Sequence, residues 1–149
     1  MKSIAANLLG NTADAEDAVQ EAFMKMYRAS SAFQGGSRLS TWAYRILVNA
    51  CYDILRRRRR RAEQALDPAA PEAGFSASKP DAALRLALER SLSAIPERPR
   101  AVFVLCEIEG LSHREVSGIL GIPEATSRGL LFDARRRLQR LLSPPEATA

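Results

Sequence analysis

A chain of 149 residues suits one ordinary domain or two small ones, and 46% apolar residues fill helical cores and exclude a disordered chain. The net charge of +5 is unevenly placed: residues 1–66 hold 11 basic and 6 acidic groups, whereas residues 67–100 and 101–149 are each balanced. The first segment therefore expects a polyanion, nucleic acid before membrane, since no apolar run approaches the roughly 20 residues of a membrane span.

Ile4, Leu8 and Leu9 begin a first helix, ended by Gly10-Asn11. Asp14 or a neighbour starts a second, with Ala18, Ala22, Phe23, Met26 and Tyr27 at helical spacing and acids in the first turn, where the macrodipole favours them. The loop SSAFQGGSR follows. Ser40 or Thr41 then caps a long helix whose apolar stripe is Ala43, Ile46, Leu47, Ala50, Cys51, Ile54 and Leu55. Its other face carries Arg45, Asn49, Asp53 and Arg56, and the helix runs into six consecutive arginines, 56–61. A helix spreads six such side chains around its circumference, so they cannot all face one groove, and Arg56, Arg57 and Arg60 are expected to matter most. Residues 62–80, AEQALDPAAPEAGFSASKP, lose the apolar period and have the composition of a linker.

Beyond it, Ala82–Ala94 reads as a helix with Leu84, Leu88 and Leu92 on one side; Pro96 and Pro99 punctuate, and Arg100–Ile108 reads as the next helix, closed by Gly110. Ser112 precedes Glu115 at capping-box spacing, and Val116, Ile119 and Leu120 form the apolar face that follows. Gly121-Ile122-Pro123 is a turn, and Glu124 opens a last helix packed through Leu131, Ala134, Leu138 and Leu141. The expectation is an all-α chain of two small helical domains, 1–61 and 81–143, with a flexible linker at 62–80 and a tail at 144–149. Two short helices joined by a glycine turn suit a helix-turn-helix that enters the major groove, and equally an αα-hairpin with no DNA.

Cys51 and Cys106 stand far apart in apolar helical patterns and are expected to be buried free thiols; His113 is the only histidine, so no metal is expected. The N-terminus lacks a signal peptide's apolar region, which points to a soluble cytoplasmic protein without membrane insertion. There is no nucleophile–base arrangement and no phosphate-binding glycine loop, so neither catalysis nor a cofactor is expected.

DAEDAVQEAFMKMYRASSAFQGGSRLSTWAYRILVNACYDILRRRRR is similar over its whole length to region two of bacterial sigma-70 family RNA polymerase sigma factors, in the short extracytoplasmic-function class. ALERSLSAIPERPRAVFVLCEIEGLSHREVSGILGIPEATSRGLLFDARRRL resembles region four, and together the two cover about two-thirds of the chain, in the family's order. The resemblance implies that Asp14, Asp17, Gln20 and Glu21 bind the polymerase clamp helices. It implies that Phe33, Ser40, Trp42 and Tyr44 engage the non-template strand of the minus-ten element. It further implies that Arg45, Asn49, Asp53, Arg56, Arg57 and Arg60 read that element or hold its phosphates, and that Glu124, Thr126, Arg128, Phe132 and Arg135 face a minus-thirty-five element. The linker would thread toward the active centre, region four would dock on the polymerase flap, and an anti-sigma factor is an implied partner.

A melted strand exposes base faces and phosphates at once. Stacking on aromatics contributes about 1–3 kcal/mol per base, against about 1.4 kcal/mol lost per separated DNA step. Core packing is the competing role for Trp42.

The chain departs from the family pattern twice. The family has another helix and a half before the equivalent of Asp14; here 13 residues precede it, so either the true start lies upstream or Phe23, Met26 and Leu47 lack a packing partner. The family's recognition helix reads Thr-Val-Lys/Arg-Ser-Arg-Leu, then His or Phe, then Arg; here Gly129, Leu130 and Asp133 replace Ser, Arg and Arg. Minus-thirty-five binding is expected to be weakened, with Leu130 and Phe132 left as apolar surface. Three readings stand: a sigma factor, a helix-turn-helix operator-binding regulator, and a degenerate sigma-like protein acting only through protein contacts.

Overall fold

The structure is a computed structural model that describes residues 1–36, 38–65 and 80–144. Seven α-helices appear among the described residues: α1 (Lys2–Leu9), α2 (Thr12–Ala29), α3 (Leu39–Gln64), α4 (Pro80–Ala94), α5 (Glu97–Phe103), α6 (His113–Leu120) and α7 (Glu124–Leu142). A 3-10 turn (Ser30–Ala32) follows α2, and a π-helical turn (Val104–Ile108) continues α5.

Local chemistry sets most boundaries. Gly10, at φ 78°, closes α1, and Asn11 caps α2 by accepting the Asp14 N–H at 2.8 Å. Asp14 therefore lies inside the first turn and Asn11 is the true start, a correction of the boundary expected from sequence. The Ser112–Glu115 capping box forms in both directions, and Gly121, at φ 66°, ends α6 as expected.

Other expectations are corrected. The start of α3 is Leu39, preceded by Arg38 with no side-chain cap, so neither Ser40 nor Thr41 caps it. The same helix runs past the arginines to Gln64, because Arg, Ala, Glu and Gln all favour helix. It spans 26 residues, about 39 Å. The expected linker thus begins later, and its residues 66–79 lie outside those described. Helix α4 begins at Pro80, a residue that suits a first helical position, and α5 begins at Glu97, with Pro99 in a first turn where a missing N–H costs little.

Helix α2 buries Ala15, Ala18 and Ala22, with Met26 half-buried, whereas Phe23 is 57% and Tyr27 84% exposed. The small residues let α2 approach its neighbours closely, which turns the adjacent aromatic stripe outward. Leu47 is fully buried. Leu84 is 72% exposed, Leu88 half-buried and Leu92 buried, so the α4 leucines do not form one buried stripe; Leu141 is likewise exposed. Cys51 is buried and its thiol pushed up to about 12 by desolvation, but Cys106 is only half-buried.

The two segments share one core. Ile4 and Leu8 of α1, Leu47 and Cys51 of α3, Val102 to Leu105, and Val116 and Ile119 of α6 belong to a single apolar cluster. Helix α3 packs on α6, and α1 packs on α4, α5 and the π turn. A second cluster, Leu92, Ile95 and Leu138, seams α4 to α7.

Helix α1 is eight residues long, too short to persist alone, and guanidiniums from both segments hold its C-terminal carbonyls. Arg58 of α3 donates to Leu9 O at 2.7 Å, and buried Arg100 of α5 donates to Leu8 O at 2.6 Å. Arg100 also donates to Ile95 O at 2.7 Å and Ser93 O at 3.2 Å. Burial presses its pKa down from the ordinary value.

Arg58 also clamps Asp14, which Asn11 bonds as well. Burial pushes the Asp14 carboxyl up, but the bonds from Arg58 and Asn11 and the charges of Arg58 and Arg61 outweigh it and hold the pKa below the ordinary value. A depressed folded value contributes stability above the unfolded pKa, about 4, which disappears as pH falls through the folded value. Asp14→Asn is therefore expected to destabilise the protein more at pH 7 than near pH 2.5; urea midpoints at both values check it, and equal shifts refute it.

Candidate nucleic-acid interface

The exposed face of α3 is the centre of the candidate site. Its first turns carry Ser40, exposed, and Trp42, half-buried. The Trp42 ring meets Phe33 at 5.0 Å between centroids, tilted 43°. The loop before α3 thus returns an aromatic to the helix start, and the two half-buried rings form a small platform. Tyr44 turns the other way and packs partly against the core. Farther along, Arg45, Asn49 and Arg56 are exposed and Asp53 is half-buried, at the spacing that places them on one face.

The arginine run divides by partner. Arg56 meets Asp53 at 3.4 Å, Arg57 meets Glu21 of α2 at 3.2 Å, and Arg59 meets Glu97 of α5 at 2.6 Å. Arg58 is turned inward, as described. Among the described residues Arg60 and Arg61 have no ion pair. Lys25 lies 3.2 Å from Glu21 and 3.5 Å from Asp53, so residues expected to touch polymerase and residues expected to touch DNA join one exposed ion network. Such exposed pairs are individually weak, about 0–1 kcal/mol, and exchange readily for phosphates.

On α2, Asp17 and Gln20 are exposed and continue into Met24 and Tyr27 along the same side. Met24 was not singled out from the sequence; the alanines on the opposite side were the available signal. Asp14 is committed to Arg58, so the expected acidic set divides into an inward and an outward part.

On α7, Thr126, Arg128, Phe132 and Arg135 are exposed and Glu124 is half-buried. Arg128 meets Glu124 at 3.4 Å, Arg135 pairs with Glu107, and Arg137 meets Asp133 at 3.0 Å. Arg136 stacks over the Phe132 ring at 5.7 Å. Leu130 is half-buried against the core, which corrects its expected place in an apolar surface; Phe132 alone, 63% exposed, remains. Ser127 is fully buried, with its hydroxyl 2.8 Å from His113 Nδ1, which ties α7 to the start of α6.

The two halves of the interface meet where α3 packs on α6. Arg45 donates to Gly118 O of α6 through Nη2 at 2.7 Å and Nε at 3.2 Å. Sequence carried no sign of it, since the partners stand 73 residues apart.

Comparison with known proteins places this geometry. Residues 1–61 match the family model described as Sigma-70 region 2, and residues 85–138 match Sigma-70, region 4. The chain is 35% identical over 129 residues to the ECF RNA polymerase sigma factor SigM of Mycobacterium tuberculosis; the match takes in 87% of this chain and 64% of SigM, less than two thirds of that relative's length. It is 34% identical over 143 residues to the ECF RNA polymerase sigma-E factor of Escherichia coli, with 88% of this chain and 75% of that protein matched. Among solved structures, the sigma factor RpoE in complex with the anti-sigma factor NepR from Bartonella quintana superposes with a TM-score of 0.75 at 26% identity, over 95% of this chain and 88% of that one. CnrH in complex with the cytosolic domain of CnrY gives 0.70 at 25% identity, over 95% and 79%. No described helix is long and apolar enough to cross a membrane. With both regions matched in order and more than two thirds of a 34%-identical relative spanned, the chain belongs to the sigma-70 family of RNA polymerase sigma factors, in the extracytoplasmic-function class.

Proposed function

We propose that this protein is an alternative sigma factor that binds core RNA polymerase and directs promoter recognition and melting. Residues 1–61 act as the region-two domain and residues 81–143 as the region-four domain. The observation that carries the reading is α3 itself: an aromatic platform, Phe33 with Trp42, stands at its start. A polar face follows in Arg45, Asn49, Asp53 and Arg56, and exposed arginines, Arg60 and Arg61, with no ion pair among the described residues, lie toward its end. Rings stack on bases that have left the duplex, and guanidiniums hold the phosphates of the same strand. Ser40 lies beside the platform, Tyr44 supports the strand-binding turn from the core side, and Arg57 reaches phosphate by exchanging Glu21.

The outward stripe of α2, Asp17, Gln20 and Glu21 with Met24 and Tyr27, supplies the clamp-helix contact, with Asp14 bracing it from within. Region four docks on the polymerase flap and presents Glu124, Thr126, Arg128, Phe132 and Arg135 to the minus-thirty-five element. An anti-sigma factor is a further partner, as NepR is for the solved RpoE of Bartonella quintana.

Capture of core polymerase by the purified protein, followed by run-off transcription from a promoter library, tests the reading; no capture defeats it. A sigma-like protein acting through protein contacts alone is favoured by one observation, the paired arginines of α7, and predicts capture without transcripts. An operator-binding regulator predicts tight duplex binding by the isolated chain without polymerase.

Asp133 neutralises Arg137 on the helix that faces DNA in this reading. Asp133→Arg is expected to raise affinity for promoter duplex and steepen its logarithmic salt slope by about 1, measured by anisotropy across a salt series. An unchanged slope means α7 does not face the duplex. Leu130→Arg serves this purpose poorly, because it forces a charge against the core.

A further inference from the structure

We propose that His113 and Ser127 are positioning residues for promoter binding: the hydrogen bond between them fixes the rotation of α7 about its own axis and so aims Thr126 and Arg128 at the duplex. The inference rests on the reading of region four given above and concerns what orients its DNA-facing helix.

The inner stripe of α7 is Ser127, Leu131, Ala134 and Leu138, at steps of four, three and four residues. The last three pack by apolar contact, which has no direction, whereas the first presents a hydroxyl from a residue with no exposed surface. The family pattern carries valine at that position, so a directional bond stands here where the family has plain packing.

The partner is held just as firmly. His113 is the first residue of α6, directly after Ser112, and the two-way Ser112–Glu115 capping box fixes where that turn begins. Its ring places Nδ1 2.8 Å from the Ser127 hydroxyl and 3.9 Å from the Cys106 thiol of the π turn. At the far end of α6 the Ser117 hydroxyl donates to Ile122 O, so polar ties bracket the helix-turn-helix, one at its turn and one at its open end.

Successive residues of a helix are about 100° apart, so holding Ser127 inward sets Thr126 and Arg128 outward on either side of it. Both lie near the start of α7, the end that contacts base edges in a helix-turn-helix. The same stretch is weakened by Gly129, which has open space where a Cβ would stand and is a poorer helix former than alanine. A fixed bond two residues earlier offsets that looseness.

The test measures anisotropy of the full chain on a fluorescein-labelled duplex of mixed sequence across a salt series. Ser127→Ala removes the hydroxyl, and because alanine favours the helix, α7 stays formed. It should bind about two- to tenfold more weakly, the worth of one hydrogen bond, with the logarithmic salt slope lowered by about 1 as a phosphate contact is lost. His113→Leu should do the same, and the two together no more than either alone. His113→Asn, which keeps an amide nitrogen near the place of Nδ1, should restore both quantities. General loosening of the fold would change the active fraction but not the slope. Because His113 is the single histidine, its ring nitrogens give one set of NMR signals, and Ser127→Ala should shift that of Nδ1. An unchanged slope in Ser127→Ala and His113→Leu, or an Nδ1 signal indifferent to Ser127→Ala, overturns the positioning role alone when Asp133→Arg steepens the slope in the same series. If Asp133→Arg leaves the slope unchanged, α7 does not face the duplex, and the reading of region four falls with the positioning role.

Discussion

Replacing Arg100 by alanine is expected to lower the stability of the protein by about 3 kcal/mol, the largest loss from any single side chain considered. The guanidinium is buried and donates to three carbonyl oxygens on two stretches of chain, Leu8 at the end of α1 and Ser93 and Ile95 at the end of α4. Each orphaned buried carbonyl costs about 1–3 kcal/mol, and relief of the arginine's own desolvation offsets part of the sum. For a protein of this size the loss corresponds to a fall in melting temperature of about 6–12 °C. Urea denaturation checks it through a lower midpoint at unchanged slope. Arg100→Lys should recover only part, since a compact ammonium cannot fork onto three oxygens. A loss below about 1 kcal/mol would show that water satisfies the carbonyls and that Arg100 does not tie α1 to α5.

The second prediction concerns Trp42. Its ring is half-buried and leans on Phe33 rather than on the shared core, so its removal should leave the fold standing. Trp42→Ala is expected to depress open-complex formation by roughly 5- to 150-fold, the equivalent of one stacked base, with polymerase binding nearly unchanged. Permanganate reactivity of the melted strand reads the first quantity and polymerase capture the second. Equal losses in both would mean that Trp42 is a packing residue whose removal collapses region two. Phe33→Leu offers a milder comparison, since it keeps apolar bulk under the indole while removing the aromatic face.

Several expectations from sequence survive because their physics is local. The Ser112–Glu115 box and the Gly121 turn each involve groups a few residues apart, and both stand as read. Locality also has a limit. Asn11 and Asp14 are both good caps, and the chain used Asn11, because Gly10 had already closed α1 one residue earlier. The aromatics of α2 misled for another reason: Phe23 and Tyr27 have the right period for a core, but so do Ala15, Ala18 and Ala22, and close packing selected the small stripe. Of the candidate site, the exposed face of α3 and the exposed residues of α7 were legible as patterns. The commitment of Asp14 to Arg58, of Arg57 to Glu21 and of Arg45 to Gly118 was not, since these partners lie 44, 36 and 73 residues apart.

By itself the sequence determined the helical class, the two-segment order, the Ser112–Glu115 cap and the concentration of positive charge on one long helix, since periodicity, capping and composition act within a few residues. Only the tertiary structure decided which arginines face solvent, which brace the fold and which bridges the two segments. A guanidinium goes to the nearest unsatisfied oxygen, and which oxygen is nearest depends on how helices distant in sequence come to pack.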